Sequence, residues 1–308
     1  MAESSWCQES QYPNKSIRLV VAFAPGGIAD TIARLVGQKL SDRFGHPMIV
    51  DNRGGAAGTV AAKFVAAAPP DGYTLLVHTA AIAVNAALAR DTGIDAMAEF
   101  VPIALAASTP TILVVHASSP AKDLREFIQL AKGKRVNYAS AGVGTTPHLT
   151  GDFLLRSLAG LDAQHVPFQG GAPAITAVLA QQIEMVSTSM PPAVPHIKQG
   201  KLKALVVTGP RRVSTLPDVP TVAELGFPEY EDLGWIAFFA PAKTSAAIAQ
   251  KLNAEINEAL RQSDVKERLI ATGFEPNTTS PTEFAAYVAK EVDKWARVIK
   301  ATGFKPQL

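Results

Sequence analysis

The sequence predicts an α/β fold in which a mostly parallel sheet carries helices on both faces. Short runs rich in Val, Ile and Leu alternate with segments whose apolar residues recur at helical spacing. Gly- and Pro-rich turns separate most of these elements. Alternation of this kind is typical of βαβ units, because parallel neighbouring strands need a crossover connection that is usually a helix.

The first part of the chain contains three predicted strands and two predicted helices. A stripe of Ile32, Leu35, Val36 and Leu40 predicts a helix after the first strand, and the Ala-rich segment Thr59–Ala68 predicts another. The predicted strands are Ser16–Phe23, Met48–Asp51 and Tyr73–His78.

The stretch Phe100–Ala121 carries no Asp, Glu, Lys or Arg and is long enough to span a membrane. It contains Pro102, Pro110 and Pro120, and proline removes a hydrogen bond from a strand ladder. We therefore predict two separate buried strands here, Val101–Ala106 and Thr111–His116, in a soluble protein.

The same alternation continues to residue 241, after which the chain is predicted to be helical. Strands are predicted at Val136–Ala139, His165–Phe168, Ile183–Val186, Leu202–Thr208 and Trp235–Ala240. Helices are predicted at Pro147–Leu158, Ala172–Ala180, Ser245–Gln262 and Pro281–Ala301, and between the last two. No Pro/Ser-rich linker separates two domains, so if there are two lobes the chain crosses between them on strands, at Val101–His116 and Gly234–Pro241.

Composition and missing motifs exclude several function classes. Lys plus Arg number 29 and Asp plus Glu number 27, and this balance predicts no nucleic-acid partner. The single cysteine, Cys7, allows neither an intramolecular disulfide nor a zinc ribbon, and the six histidines form no metal-binding motif. No G-x-x-x-x-G-K-[ST] phosphate loop is present, so no metal and no cofactor are expected. Met1–Gln11 lacks the apolar run of a signal peptide.

Two loops between a strand and a helix have the pattern of an anion site. The first contains Pro25-Gly26-Gly27, and the second runs from Ser140 to His148 with Thr146 as the expected N-cap and Pro147 at the first helical position. Free N–H groups at a helix start and the helix dipole both favour an anion. Either loop alone also fits an ordinary turn, but a pair fits a small carboxylate better than a nucleotide.

Further polar residues lie at the predicted ends of strands. Thr79 follows the third strand, and Ser187-Thr188-Ser189 follow the strand Ile183–Val186. Ligands of open α/β sheets bind beyond the carboxyl ends of the strands, so these residues are expected to converge with the two loops. A third Gly-Gly loop, Phe168–Pro173, has a similar pattern, and we favour an ordinary turn for it.

An α/β hydrolase that uses Ser140 is an alternative. His148 and His165 are its candidate bases, but the G-x-S-x-G pattern of a nucleophile elbow is absent because Tyr138 stands two residues before Ser140.

Motifs along nearly the whole chain resemble those of Bug-type receptors, the solute-binding proteins of tripartite tricarboxylate transporters. These motifs are Pro25-Gly26-Gly27 with Asp30, Val50–Arg53, Pro70–Leu76, Asn137–Leu149, His165–Phe168, Leu216–Val222 and Lys294-Trp295. The resemblance implies a two-lobed periplasmic-binding-protein fold of the second type, with the ligand cleft between the lobes. It implies one lobe from residues 12–106 and 235–308, an inserted lobe from 107–234, and a tag-like or disordered N-terminus at 1–11.

The resemblance also implies the function and the site. We expect a periplasmic, monomeric, non-enzymatic receptor that captures a small organic carboxylate and delivers it to the permease subunits of its transporter. The implied ligand-binding residues are Phe23, Gly26, Gly27, Asp30, Thr79, Ala80, Ser140, Gly142, Thr145, Thr146, His148, Ser187, Thr188 and Ser189. Asp30 is expected to orient the loop or a water molecule, or to bind an amine.

Two departures from the family pattern and two alternatives stand beside this expectation. Gly54 replaces a usual Pro, and Ala80-Ala81-Ile82 replaces a stretch usually richer in hydroxyl groups, which makes an apolar or aromatic ligand body more plausible. The alternatives are a sensor component that presents the ligand to a kinase and the effector domain of a transcription regulator. The absence of a helix-turn-helix before the first strand argues against the regulator.

Overall fold

Ten strands of the described residues form one continuous sheet in the computed structural model, which describes residues 12–88, 95–227 and 230–302. The strands are β1 Ile17–Val21, β2 Met48–Asn52, β3 Thr74–Thr79, β4 Phe100–His116, β5 Arg135–Ser140, β6 Asp162–Pro167, β7 Met185–Ser189, β8 Leu202–Val207, β9 Leu233–Pro241 and β10 Glu275–Pro276. Their order is β2-β1-β3-β9-β4-β7-β5-β6, and β8 and β10 also pair with β4. The expected N-terminal segment 1–11 lies outside the described residues.

Helices connect the strands and cover the sheet. They are α1 Ile28–Phe44, α2 Thr59–Ala66, α3 Ala81–Ala87, α4 Ala96–Glu99, α5 Leu124–Ala131, α6 Thr146–Gly151, α7 Gly171–Leu179, α8 Met190–Lys198, α9 Ala246–Arg261, α10 Ser263–Thr272 and α11 Pro281–Thr302. Helix α6 continues as a π-helix over Asp152–Leu158. The parallel pairs β1–β2, β1–β3 and β5–β6 confirm the βαβ units that the alternating pattern predicts. The prediction of a mostly parallel sheet is wrong, because β4 pairs antiparallel with β7, β8, β9 and β10, and β3 pairs antiparallel with β9.

Strand β4 is the longest strand of the described residues and pairs with four others, β7, β8, β9 and β10. The prediction of two separate strands in this region is wrong, because β4 is continuous from Phe100 to His116. Its first half pairs with β9 and its second half pairs with β7 and β8. Pro102 adjoins a register shift in the β4–β9 ladder, and Pro110 stands where pairing passes from β9 to β7. Both prolines therefore occupy positions where the regular ladder is already interrupted, and the missing N–H groups do not break the strand.

Three smaller predictions also need correction. Ser187–Ser189 belong to β7 and do not follow it, because they pair with β4 at Thr111–Leu113. The N-cap of α6 is Thr145, one residue earlier than expected, and Pro147 occupies the second helical position. The segment between α9 and α11 is helical only to Thr272 and then forms β10.

The core of the first part of the sheet is made by β1, β3, β4 and β9 with the helices packed on them. Trp235, Phe238 and Phe239 of β9 have no exposed surface. Burying a large apolar side chain contributes about 1.5–3 kcal/mol, so this strand anchors the point where the chain returns to the first part of the sheet.

Candidate ligand-binding site

A cavity opens between the loops that follow β1, β5 and β6 and the end of β7. It contains about 480 Å³ of space free of protein atoms, including its open mouth. Its wall is formed by Phe23, Gly27, Ile28, Ala29, Thr79, Ala141, Thr145, Thr146, Pro147, Gly170, Gly171, Thr188, Ser189, Pro192 and Gly234. None of these residues has a charged side chain, so the chemistry of the wall comes from backbone groups, hydroxyl groups and apolar surface.

The first loop presents the start of α1 to the cavity. Gly27 is the N-cap, and no side chain accepts a hydrogen bond from the first N–H groups of the helix. Ile28 and Ala29 line the cavity at this helix start. A helix start without a side-chain cap offers N–H donors and the positive end of its dipole to an anion.

Asp30 holds the first loop and does not line the cavity. Its carboxylate accepts hydrogen bonds from Gly26 N–H at 2.9 Å, from Arg34 Nε at 3.0 Å and from Asn52 Nδ2 at 3.0 Å. Burial raises the pKa of this carboxyl, but these hydrogen bonds outweigh burial and hold the pKa below its usual value. These contacts favour the expected loop-orienting role over amine binding.

The second loop folds over the end of β5 through two glycines with positive φ. Gly142 has φ 133° and Gly144 has φ 79°, a region that favours glycine. Thr145 Oγ1 donates to Gly142 O at 2.7 Å and accepts from His148 N–H at 3.4 Å. This arrangement turns Thr145, Thr146 and the start of α6 toward the cavity.

A buried polar cluster supports the second loop from behind. His148 Nδ1 accepts the Gly144 N–H at 3.1 Å, and the His148 ring stacks on His165 with centroids 3.9 Å apart. His148 Nε2 lies 3.4 Å from Asp152 Oδ2, and Tyr138 donates to Asp152 Oδ1 at 2.8 Å. The predicted ligand residue His148 therefore lies behind the loop and not in the cavity wall.

The charges in this cluster follow from burial and hydrogen bonding. Burial, with His148 adjacent, lowers the pKa of His165 to about 3. Burial raises the pKa of Asp152, but the hydrogen bonds from His148 and Tyr138 outweigh it and hold that pKa at about 2. His165 is thus neutral and Asp152 ionised at neutral pH.

Ser140 also lies behind the second loop. It has no exposed surface, its Oγ lies 2.7 Å from His165 Nε2, and it accepts the Gly142 N–H at 3.1 Å. Asp152 contacts His148, so it does not orient His165 as the acid of a Ser-His-Asp triad would. Ser140 is absent from the cavity wall, where a nucleophile would need to be.

The third loop is part of the cavity, which the preference for an ordinary turn did not anticipate. Gly170 and Gly171 line the wall, and Gln169 O accepts the Ala24 N–H of the first loop at 3.3 Å. The signal was in the sequence, because Gln169-Gly170-Gly171 repeats the strand, Gly-Gly, helix order of the first loop. Pro192 and Gly234 also line the cavity, and the sequence analysis did not predict either of them. Gly234 lies near the start of β9 and belongs to no local motif that could have indicated its position.

Three hydroxyl-bearing residues that are largely buried line the cavity. Thr146, Thr188 and Ser189 are 4%, 1% and 8% exposed and line the cavity. A hydroxyl group on a cavity wall can both donate and accept a hydrogen bond, so the cavity is suited to a polar ligand.

The other predicted site residues lie next to the wall. Ser187 donates to Pro147 O at 2.6 Å and so supports the second loop. Thr79 lines the cavity and accepts the Ala81 N–H at 3.3 Å, whereas Ala80 is buried and bonds through its N–H to Trp235 O. Gly26 and Gly142 shape their loops without lining the cavity.

The described residues contain no group of three or more His, Cys, Asp or Glu side chains that could hold a metal ion. Among the helices of the described residues, none combines the length and the apolar character that a membrane span requires.

Comparison with known proteins identifies the family. Residues 32–304 match the model of the tripartite tricarboxylate transporter family receptor. The chain belongs to this receptor family. BugT of Bordetella pertussis is 33% identical over 299 residues, which cover 96% of this chain and 91% of BugT. The resemblance to Bug-type receptors is thereby confirmed.

Solved structures of similar receptors confirm the fold. The periplasmic binding protein BugD is 31% identical with a TM-score of 0.92, covering 96% of this chain and 100% of BugD. MatC from Rhodopseudomonas palustris, with bound malate, is 35% identical with a TM-score of 0.87 over 94% and 100% of the two chains. An R. palustris protein with adipate is 31% identical with a TM-score of 0.91 over 96% and 100%. The receptor thus has a periplasmic-binding-protein fold and belongs with solute-binding proteins, not with enzymes.

Proposed function

We propose that this receptor captures a small organic carboxylate in the cavity and delivers it to a membrane permease of the tripartite tricarboxylate type. The observation that carries the proposal is the uncharged wall, which combines the uncapped N–H groups of α1 with the hydroxyl-bearing residues Thr146, Thr188 and Ser189. Such donors stabilise an anion without a cationic side chain. Malate in MatC and adipate in the R. palustris protein support the same ligand class.

The rest of the wall sets the character of the ligand body. Phe23, Ile28, Pro147 and Pro192 present apolar surface beside the polar donors. A carboxylate with a short aliphatic or aromatic body satisfies both kinds of surface, because pockets gain affinity from apolar burial and orientation from a few polar groups.

The receptor is proposed to act in the periplasm by closing two lobes around the ligand. The lobe boundaries are proposed near residues 106 and 234, where β4 and β9 carry the chain between the two parts of the sheet. A contact between the first and third loops, the Ala24 N–H bond to Gln169 O, supports a closed arrangement. Hinge closure around the two strands would make and break these contacts.

The test is a thermal-shift screen of malate, adipate, succinate, benzoate and the uncharged diamide of malate. Protein unfolded in denaturant, dialysed and refolded is used, so that any bound solute is removed first. A carboxylate at 100 times its Kd stabilises by about 2.7 kcal/mol, on the order of 4 °C for a chain of this length. The diamide is expected to give no shift. A protein that no carboxylate stabilises, or that the diamide stabilises equally, contradicts the proposal.

A further inference from the structure

A buried carboxyl group lies next to the cavity without touching it. Asp232 directly precedes β9 and is 3% exposed. Its Oδ2 accepts hydrogen bonds from Thr111 Oγ1 at 3.1 Å and from Thr150 Oγ1 at 3.0 Å. Within the described part of the chain, its Oδ1 has no hydrogen-bond partner. Burying a carboxyl oxygen without a hydrogen-bond partner lowers the free energy of unfolding, so a structural or functional role for Asp232 is expected.

Each group that Asp232 joins belongs to a segment that lines the cavity or pairs with one that does. Thr111 of β4 is paired in register with Ser189. Thr150 lies one helical turn after Thr146 on α6. Gly234 follows Asp232 by two residues on β9 and itself lines the cavity. One carboxyl group therefore connects helix α6, strand β4 and the start of strand β9.

Neighbouring hydrogen bonds make this junction rigid. Thr208 Oγ1 donates to Asp232 O at 2.6 Å and accepts the Thr111 N–H at 2.9 Å. Tyr230 donates to Thr150 Oγ1 at 2.8 Å, and its ring stacks on Phe153 with centroids 4.6 Å apart. These hydrogen bonds thus link α6 to β4 and to the start of β9.

We propose that Asp232 is a positioning residue of the ligand site and that the hydrogen bonds of its carboxyl group fix the start of α6 and Gly234 relative to Ser189. The role is independent of which solute is bound, and only its binding readout rests on the proposed carboxylate function.

The groups around Asp232 shift its pKa in both directions, because burial and Glu291 raise it whereas Lys294 and the two threonine hydrogen bonds lower it. The titratable groups that face it are Tyr230 on its own segment and Tyr287, Glu291 and Lys294 on α11. Lys294 is paired with Glu291 at 2.6 Å, and the groups that bond Asp232 from β4 and α6 are threonines. Burial raises the pKa of Asp232, although Lys294 opposes this in part.

The first test is hydrogen exchange of the ligand-free receptor. Thr150→Val keeps the shape of the side chain and removes both the link from Asp232 to α6 and the hydrogen bond that Thr150 Oγ1 accepts from Tyr230; Tyr230→Phe removes the second bond alone and should leave the exchange rates unchanged. Thr244→Val is the matched control, because Thr244 is also buried and donates one hydrogen bond, to Pro241 O, away from the cavity. We expect amides of residues 142–149 to exchange on the order of tenfold faster in Thr150→Val and at the wild-type rate in the control. Equal rates in both variants overturn the proposal.

The second test compares Asp232→Asn with Asp232→Ala. The amide oxygen can still accept both threonine hydrogen bonds, so Asp232→Asn should keep the wild-type exchange at 142–149 while Asp232→Ala loses it. An Asp232→Asn variant that exchanges as fast as Thr150→Val contradicts a positioning role that rests on the two threonine hydrogen bonds. Should Asp232→Ala not fold, the Thr150→Val and Asp232→Asn results decide the question by themselves.

Binding of malate and adipate then separates this inference from the proposed function. If wild type binds either acid, Thr150→Val should bind it about tenfold more weakly and Thr244→Val equally well. If wild type binds neither, the proposed ligands are wrong, and the exchange results still decide the role of Asp232.

Discussion

At the scale of single residues, Gly171 shows how tightly the cavity wall is packed. A Cβ at this position would lie 2.7 Å from Thr188 Oγ1, and its φ is not in the left-handed region. We expect Gly171→Ala to displace the Thr188 hydroxyl and to weaken carboxylate binding by about tenfold with little change in stability. Isothermal titration with the acid that gives the largest thermal shift measures this.

Gly209→Ala is the matched control for that substitution. Gly209 also has no positive φ, its nearest contact is an ordinary 3.4 Å, and it does not line the cavity. Unchanged affinity in Gly171→Ala, or an equal loss in Gly209→Ala, would show that the Thr188 hydroxyl does not contact the ligand.

At the scale of elements, the sequence predicts what depends on local pattern. The alternating strands and helices follow from periodicity and turn residues, and the second loop follows from its glycines and cap. The continuity of β4 could not be predicted, because the effect of Pro110 depends on which partner strand stands beside it. Likewise His148 and Ser140 point behind the loop because Gly142 and Gly144 turn the backbone, and this direction is not visible in residue order.

Helix α10 illustrates a contact that only the fold reveals. It ends at Gly273, which has φ 91°, and a Cβ there would lie 1.9 Å from Met190 Cε. Met190 is the first residue of α8 and follows the cavity residue Ser189. Gly200, by contrast, has φ 68°, and a Cβ at that position would meet no described atom within 4 Å.

The two glycines therefore separate backbone strain from steric overlap. Alanine at Gly200 should cost about 1 kcal/mol, the strain of a left-handed residue. Alanine at Gly273 should cost a further 1–3 kcal/mol, roughly, because Met190 must move. Urea unfolding of the two variants measures both terms, and an equal loss would mean that Met190 accommodates the methyl group freely.

At the scale of the whole molecule, two buried histidines are expected to govern stability in acid. Burial lowers the pKa of His78 to about 4 and that of His165 to about 3, against about 6.5 in the unfolded chain. The folded state thus binds fewer protons than the unfolded state below pH 6.5. Stability is fully present above that pH and is lost as the pH falls toward the folded values.

Each such histidine contributes a slope of up to about 1.4 kcal/mol per pH unit to the free energy of unfolding. The raised pKa of Asp232 acts in the opposite sense, because its stability is lost as the pH rises above about 3.8. Asp232 contributes equally to the pH slopes of wild type and His165→Gln, so its contribution cancels when the two slopes are subtracted. Urea unfolding between pH 6.0 and 4.5 should therefore give a slope about 1.4 kcal/mol per unit smaller in His165→Gln than in wild type.

Glutamine at 165 can still bond Ser140 Oγ, so a change in slope reports lost protonation and not a lost hydrogen bond. If His165→Gln keeps the wild-type slope, then His165 takes up its proton in the folded receptor as readily as in the unfolded chain, and the prediction is wrong.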